Sequence, residues 1–256
     1  MGYGGSWWNW QPRPRAAERK KTAARLIATL KRNGQAVSPV RIEGRKIVRT
    51  FWGQAWCDNL LSYSDYANRL PRGQSYVRNG CVVDLRIEPG SVTALVSGSE
   101  IYTVEIAIRP PARTAWSKLV KRCAGRIESA VELLRGELSA AVMEIIARRD
   151  GGLFPPPRAM TMRCSCPDWA VMCKHVAAVL YGVGARLDER PELLFVLRGV
   201  DHLELISAAP RGVGAGRKRG AAGGSKVKGS RLGDVFGIDL EAPAEASRAR
   251  PRKRGN

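Results

Sequence analysis

The chain has 256 residues and carries 43 Lys and Arg against 23 Asp and Glu, a formal net charge of +20. Its longest apolar runs, AAVMEII and ELLFVL, are far shorter than the roughly 20 residues that span a bilayer, and the start MGYGGSWWNWQPRPR has no secretory apolar segment. We therefore expect a cytoplasmic protein with reduced thiols and no membrane partner, for which a location on the nucleoid is compatible with the charge.

The positive charge is concentrated at the two ends of the sequence. Residues 1–49 hold twelve Lys or Arg against two acids, and residues 207–256 hold twelve against four, which leaves about +2 for residues 50–206. Two such ends favour a polyanion, above all nucleic acid, through the release of counterions. Solubility alone is the alternative explanation. We predict that residues 1–45 and 207–256 are disordered basic arms.

The N-terminal arm contains a cluster of tryptophans (Trp7, Trp8 and Trp10). Aromatic rings beside basic residues stack on nucleobases, and rings near a terminus also pack on their own domain, so both roles stay open. Residues 18–31 have a helical pattern, but their apolar side is narrow, and we expect partial order at best.

Residues 46–154 have the composition of a globular α+β domain. FWGQAWCDNLLSYSDYANRL predicts a helix with Trp52, Trp56 and Leu60 at a spacing of four. CVVDLRI, VTALVSG and YTVEIAI are rich in β-branched residues, and the turn EPGS joins the first two, so these segments predict a three-stranded antiparallel meander. Residues 114–149 return to a helical period, and the triple proline at 155–157 ends the helices and begins a new unit.

Between the first helix and the meander lies NRLPRGQSYVRNG, which the sequence predicts to be a loop. It offers Arg69, Arg72 and Arg78 around Tyr76 and Gly73. This composition is suited to contacting phosphate and stacking a base, so Arg69, Arg72, Tyr76 and Arg78 are candidate nucleic-acid-binding residues. A solvated turn before a strand is the alternative.

Residues 164–175, CSCPDWAVMCKH, hold three of the six cysteines and one of the two histidines. Cys164 and Cys166 share a face only in an extended segment, because residues i and i+2 lie about 200° apart on a helix. Cys173 and His175 converge if Cys173 precedes a helix and His175 lies in its first turn. These four residues are predicted to form a closed tetrahedral shell for one structural zinc ion.

Two alternatives to zinc remain at this point, a redox pair of Cys164 with Cys166 and buried thiols that are close by chance. A redox pair leaves the equally spaced Cys173 and His175 without a reason. The other three cysteines are predicted to be small core residues (Cys57, Cys81 and Cys123).

The residues beside the cluster add charge and hydrogen-bonding groups. Arg163 and Lys174 favour the ionised thiols. For Asp168 we keep three roles open: it caps the loop, it accepts a proton from the free imidazole nitrogen of His175, or it pairs with Lys174.

The pattern CxCx6CxH followed by the helix start KHVAAVLY resembles the SWIM zinc finger family, and CPDWAVMCKH is similar to its bacterial members. FWGQAWCDNLLSYSDYANRLPRGQSYVRNGCVVDLRI also looks like the region before the finger in bacterial SWIM proteins, so the resemblance covers roughly residues 46–206. The resemblance implies a ββα zinc finger within residues 155–206 that binds DNA or protein, with the same four ligands. It further implies an association with Snf-type ATP-dependent helicases and carries over no catalytic residue.

After Ala209 the sequence is rich in Gly and basic residues and has no apolar period, which is typical of a disordered linker. One apolar island interrupts it at 232–240, LGDVFGIDL, with four candidate contact residues (Leu232, Val235, Phe236 and Ile238). Such an island either docks on a partner protein or packs on its own domain.

Together these features predict a zinc-binding, nucleic-acid-associated protein whose structural SWIM-type finger acts with DNA, an ATP-dependent helicase or both. DNA is favoured over RNA. The alternative is a purely protein-protein adaptor of a helicase complex that does not touch nucleic acid. We expect no enzyme and no small-molecule substrate, because the sequence has no GxxxxGKS loop, no acidic metal cluster and no Ser, His and Asp set at a telling spacing.

Overall fold

The computed structural model describes residues 14–63, 68–124, 126, 140–148 and 150–207. All of them belong to the first of two compact units, residues 1–212, and the second unit, residues 213–256, lies outside the described residues. The tryptophan cluster near the N-terminus and the apolar island at 232–240 therefore also lie outside them, and their predicted roles stay predictions.

The centre of the described fold is an antiparallel sheet whose strand order follows the sequence. The strands are β1 (Val82–Glu88), β2 (Ser91–Ser97), β3 (Ile101–Ile108) and β4 (Met160–Cys164). The first three form the predicted meander, and the side chains of β3 alternate between exposed and buried along its whole length. Strand β3 therefore has one face on the core and one in solvent, whereas the first half of β1 is buried on both faces.

Strand β4 joins this sheet although about fifty residues separate it from β3 in the sequence. Val104 pairs with Cys164 and Ile108 with Met160. The triple proline predicts a domain boundary at residue 155, whereas the structure puts residues on both sides of it into one sheet and one hydrophobic core. The part of the chain that the structure describes offers β4 no other sheet to pair with, so the ββα unit of the finger takes its first strand from the meander.

The described helices pack on the sheet and on one another. They are α1 (Ala16–Arg32), α2 (Phe51–Leu61), α3 (Leu70–Arg78), α4 (Arg113–Cys123), α5 (Ala140–Ala147), α6 (Lys174–Glu189), α7 (Leu193–Arg198) and α8 (Leu203–Ser207). The helix predicted from residue 51 ends at Leu61, and the region predicted to be helical at 114–149 contains α4 and α5. No helix among the described residues is long and apolar enough to cross a membrane.

Helix α3 occupies most of the segment that the sequence analysis assigned to a loop. Its proline, Pro71, lies in the first turn, where a missing amide donor is tolerated. Gly73 faces α6 so closely that a Cβ on it would lie 2.5 Å from the Cβ of Ala177. The Pro and Gly that suggested a loop therefore begin a helix and allow two helices to touch.

Helix α6 is the central helix of the fold. It is buried from His175 to Ala185 without interruption, and it packs against α2, α3 and the sheet. The indole nitrogen of Trp56 donates a hydrogen bond of 2.8 Å to the carbonyl of Leu180. A helix that is apolar on almost every side is a core element, so the helix of the finger is also the core of the whole described unit.

Part of the predicted N-terminal arm is built into this unit. Helix α1 packs against β1 and β2 through the buried Ala23, and the hydroxyl of Ser97 donates to the carbonyl of Arg19 at 3.1 Å. The backbone at Ser38 and Val40 hydrogen-bonds to β1. The other basic side chains of α1 are exposed, whereas Arg19 is partly buried over the ring of Tyr76. A narrow apolar side and this one arginine attach the helix to the rest of the unit.

Candidate metal centre

The four predicted ligands come together at one end of the sheet. Cys164 is the last residue of β4, Cys166 follows in a bend, Cys173 is the residue before α6, and His175 is the second residue of that helix. Their sulfur and nitrogen ligand atoms all lie within 4.8 Å of one another. The extended start and the helical end of the motif bring them together as the spacing predicts.

The distances fit a single ion at the centre of the cluster. The Nδ1 atom of His175 lies 3.7 Å from the sulfur of Cys164 and 3.9 Å from that of Cys173. A tetrahedral zinc ion with sulfur at about 2.3 Å and nitrogen at about 2.0 Å separates the two ligand atoms by about 3.5 Å. The ring thus turns Nδ1, not Nε2, toward the thiols.

The cluster is closed to solvent on most sides. Cys173 and His175 are 0% and 1% exposed, Cys166 is buried, and Cys164 is partly buried. Four protein ligands complete a tetrahedral shell and leave no coordination position for a substrate. The donor set and its burial are those of one structural zinc ion.

Backbone amides support the negative charge of the thiolates. The amide of Cys166 donates to the sulfur of Cys164, the amide of Asp168 to Cys166, and the amide of Val176 to Cys173, and each contact lowers the pKa of the thiol that accepts it. The amide of Val176 belongs to the N-terminus of α6, whose positive dipole end points at anions.

The sulfurs also affect one another. A hydrogen bond from Cys164 lowers the pKa of Cys173, whereas the same contact, and then burial, raises the pKa of Cys164. Burial raises the pKa of Cys166. A divalent cation resolves this conflict because it stabilises all three thiolates together, and zinc binding therefore releases protons.

Comparison with known protein families matches residues 150–183 to the SWIM zinc finger. The chain carries a SWIM zinc finger. Among curated proteins, the uncharacterized protein Rv2102 of Mycobacterium tuberculosis is similar, with 36% identity over 174 residues. The match covers 66% of this chain and 62% of that protein, so the chain spans somewhat less than two thirds of its relative. No solved structure matches the chain.

Two tyrosines hold the imidazole of the SWIM finger. The ring of Tyr102 stacks on His175 with centroids 4.4 Å apart and an interplanar angle of 27°, and Tyr76 meets it edge-on at 5.3 Å. The Nε2 atom of His175 is buried and has no hydrogen-bond partner among the described residues. The ring is therefore oriented by aromatic packing and by its Nδ1 contact. Gly98, which has no side chain, leaves space for the rings of His175 and Tyr102.

Asp168 fixes the loop between the second and third ligands. One of its oxygens accepts from the amide of Ala170 at 3.2 Å, and the other accepts from the guanidinium of Arg69 at 2.9 Å. Of the three roles considered for this residue, capping the loop is the one seen. Its ion pair is with Arg69, not Lys174, because the start of α3 packs beside the finger.

A cleft of about 610 Å³ lies beside the finger. Its four cations come from three separate places in the sequence (Arg19, Arg69 with Arg72, and Lys174), and Asp168 is the carboxylate among its described lining residues. The SWIM finger contributes Trp169, which is 94% exposed. No sequence pattern connects Arg19, Trp169 or Tyr102 with a site. Trp169 was visible between Cys166 and Cys173, but no sequence pattern showed that it lies on a basic cleft.

The four predicted nucleic-acid contacts divide into three groups. Arg69 and Arg72 line the cleft. Tyr76 is 7% exposed and forms part of the cleft wall, with the guanidinium of Arg19 4.5 Å from its ring centroid, so its ring supports the site and offers no open face to a base. Arg78, at the far end of α3, donates to the carbonyl of Arg45 outside this cleft.

Proposed function

We propose that the protein binds nucleic acid, DNA above all, through the basic cleft beside its SWIM zinc finger and through its basic ends. The observation that supports this most is the convergence of four cationic side chains on one cleft, whose described lining includes one carboxylate. Because α1, the start of α3 and the start of α6 each supply part of this charge, the cleft is a property of the folded unit. Such a concentration of cations attracts phosphate.

The charge outside the cleft supports the same function. Helix α1 exposes Lys20, Lys21 and Arg25, and residues 207–256 hold twelve basic residues against four acids. Contacts of this kind carry no base specificity, but they add affinity through the release of counterions.

Zinc has an indirect role in this proposal. The ion fixes Cys166 and Cys173, and with them the loop that brings Asp168 and Trp169 to the cleft. The metal supplies local folding energy and shapes a surface. We propose no catalytic activity, because a shell of four protein ligands offers the ion no substrate position. We also propose a cytoplasmic location, because the basic charge that favours nucleic acid suits a protein that meets DNA there.

A second candidate function is that of an adaptor that binds a helicase. The exposed apolar side chains of the finger favour this function. Val171 is 61% exposed in the same loop as Trp169. Recovery of a Snf-type helicase in a pull-down, with and without nuclease, tests this candidate. Leu232→Asp and Phe236→Asp in the apolar island lower the recovery if the island makes the contact, and unchanged recovery excludes the island.

Electrophoretic titration of a DNA duplex at several salt concentrations tests the proposed function. We expect affinity to fall steeply with salt, and Arg72→Ala to reduce the slope of log K against log salt by about one unit. Lys118→Ala is the matched control, since it removes one exposed charge from α4, away from the cleft. A flat salt dependence, or equal slopes for the two variants, would contradict the cleft as the binding surface.

A further inference from the structure

Trp169 is exposed to an extent that is unusual for its residue type. Its side chain is 94% exposed, although tryptophan is on average among the well-buried residues. It lies at the rim of the basic cleft, in the loop that connects Cys166 to Cys173. An exposed ring adds little buried area to the core. Its position beside four cations therefore points to contact with a ligand.

The loop that carries Trp169 is fixed at both ends and at Asp168. Cys166 and Cys173 enclose it as metal ligands, and Asp168 ties it to Ala170 and to Arg69. Met172, near its end, is completely buried. The backbone of Trp169 is thus positioned by the zinc shell, and its ring projects from a fixed support, as a stacking residue requires.

Two of the four cations in the cleft are available for a ligand. Arg69 is paired with Asp168, and Arg19 packs over the ring of Tyr76. Arg72 and Lys174 have no hydrogen-bond or ion-pair partner in the part of the chain that the structure describes. A phosphate that enters the cleft therefore meets two uncommitted positive charges next to an uncovered aromatic ring.

We propose that the cleft binds single-stranded nucleic acid, with an unpaired base stacked on Trp169 and the adjoining phosphate on Arg72 and Lys174. This inference rests on the proposed nucleic-acid binding and adds the class of strand. In a duplex the faces of the bases are covered by their neighbours, whereas in a single strand they are open to aromatic side chains. The cleft volume of about 610 Å³ lies within the range of pockets that hold small organic ligands, which is enough for one nucleotide.

An acidic protein segment is the other class of occupant that charge alone would allow. The lining favours nucleic acid because Trp169 is the exposed large apolar side chain of the cleft, and Val171, exposed in the same loop, lies outside the lining. A single ring surrounded by cations matches the alternation of base and phosphate better than it matches an apolar protein anchor.

The test compares strands and variants with the full-length, zinc-loaded protein. Fluorescence anisotropy measures binding of a labelled oligo-dT and of a duplex of the same length to the wild type, Trp169→Ala, Trp169→Phe and Val171→Ala. We expect Trp169→Ala to weaken oligo-dT binding about fivefold or more, as loss of one stacked base does. Trp169→Ala should lower duplex affinity much less than oligo-dT affinity. Trp169→Phe should retain most of the oligo-dT affinity, and Val171→Ala should behave as wild type.

Three results would overturn the inference. The first is wild-type binding of oligo-dT by Trp169→Ala, and the second is an equal loss of oligo-dT and duplex binding. The third is an acidic peptide that displaces oligo-dT and whose binding depends more strongly on Trp169 than oligo-dT binding does, which would assign the cleft to protein. The zinc content of each variant, which should equal that of the wild type, establishes that the finger is intact.

Failure of this inference is distinguishable from failure of the proposed function. If the wild type binds duplex with a salt slope that depends on Arg72, but oligo-dT binding is indifferent to Trp169, the single-strand inference alone fails. If the wild type binds neither oligo-dT nor duplex, both fail.

Discussion

The imidazole of His175 stacks on the ring of Tyr102, with centroids 4.4 Å apart. Tyr102 belongs to β3, the strand that pairs with β4, and β4 carries the ligand Cys164. One strand of the meander therefore supports two parts of the metal centre, the strand that holds a thiolate and the ring of the histidine. The geometry of the zinc site therefore depends on the sheet.

This coupling makes Gly98 a sensitive position. A Cβ there would lie 2.6 Å from Cε2 of Tyr102 and 2.9 Å from Nε2 of His175, closer than real contacts allow. Gly98→Ala is therefore expected to displace the stacked rings and to weaken zinc binding by about tenfold, the scale of groups that orient a metal ligand. Competition with a chromophoric chelator measures the affinity. Thr93→Ala, at an exposed position of β2, is the control, and equal affinities for both variants would show that the rings do not depend on this space.

Removal of zinc should destabilise the whole described unit. Because α6 is the core helix of the fold and β4 lies in the shared sheet, the finger has no separate core in which to unfold alone. We expect chelation to lower the thermal midpoint by at least about 5 °C, which corresponds to a few kcal/mol for a unit of this size. Hydrogen exchange should rise first in the loop at 165–173. The amides of α6 should stay as well protected from exchange as those of α3.

Readdition of zinc should restore both the midpoint and the protection of the loop. Unfolding of α6 with α2 and α3 still protected would instead indicate an independent finger. An unchanged midpoint would show that the metal adds no stability to the fold.

Asp168→Asn should strengthen nucleic-acid binding by about two- to threefold. The amide oxygen can still accept from Ala170, so the loop keeps its cap, but the variant removes the carboxylate of the cleft and frees the charge of Arg69. Loss of an ion pair with both side chains partly exposed costs about 1 kcal/mol of stability at most. Titration of DNA at fixed salt measures the effect. Glu105→Gln, on the exposed face of β3, removes the same charge elsewhere, and an equal gain there would indicate a long-range effect of charge only.

Cys57 should make stability fall at alkaline pH. Burial, with smaller contributions from Asp58 and Asp188, raises its pKa from 9.0 to about 12. Between these values the unfolded thiol has lost its proton while the folded thiol keeps it, so the stabilising contribution is complete below pH 9 and declines as the pH rises through this window. The slope for one such group is about 1.4 kcal/mol per pH unit.

Cys57→Ser tests this prediction because a serine hydroxyl does not titrate in the same range. Urea unfolding at pH 8 and pH 10 should show a loss of stability that is about 1 kcal/mol smaller in the variant than in the wild type. The comparison between the two pH values cancels the direct effect of the substitution on packing. Equal losses in the two proteins would mean that Cys57 ionises as freely in the folded state as in the unfolded one.

The zinc ligands and the meander follow from local sequence. Two cysteines at i and i+2 require an extended segment, and a histidine two residues after Cys173 requires a helix start, so spacing within twelve residues was enough to predict the shell. The alternation of β-branched residues and a Pro-Gly turn predict the first three strands. In both cases the deciding interactions lie between residues that are close in the sequence.

Helix α3 shows why other features were missed. Pro71 and Gly73 are ordinary turn signals when only their neighbours are considered, and the segment was assigned to a loop. In the fold Gly73 allows contact with Ala177 on α6, about a hundred residues away, and burial of Tyr76 and Val77 stabilises the helix. Local propensity is worth a few tenths of a kcal/mol to about 1 kcal/mol per residue, which tertiary burial readily exceeds.

By itself the sequence determined which residues bind the metal, the order of the first three strands and the total charge, because each depends on composition or on short spacing. Only the tertiary structure decided that β4 pairs with β3, that Tyr102 stacks on His175, and that cations from α1, α3 and α6 share a cleft with Trp169. These features join residues tens to more than a hundred positions apart. Their proximity is fixed by burial of one common core, which leaves no local trace in the chain.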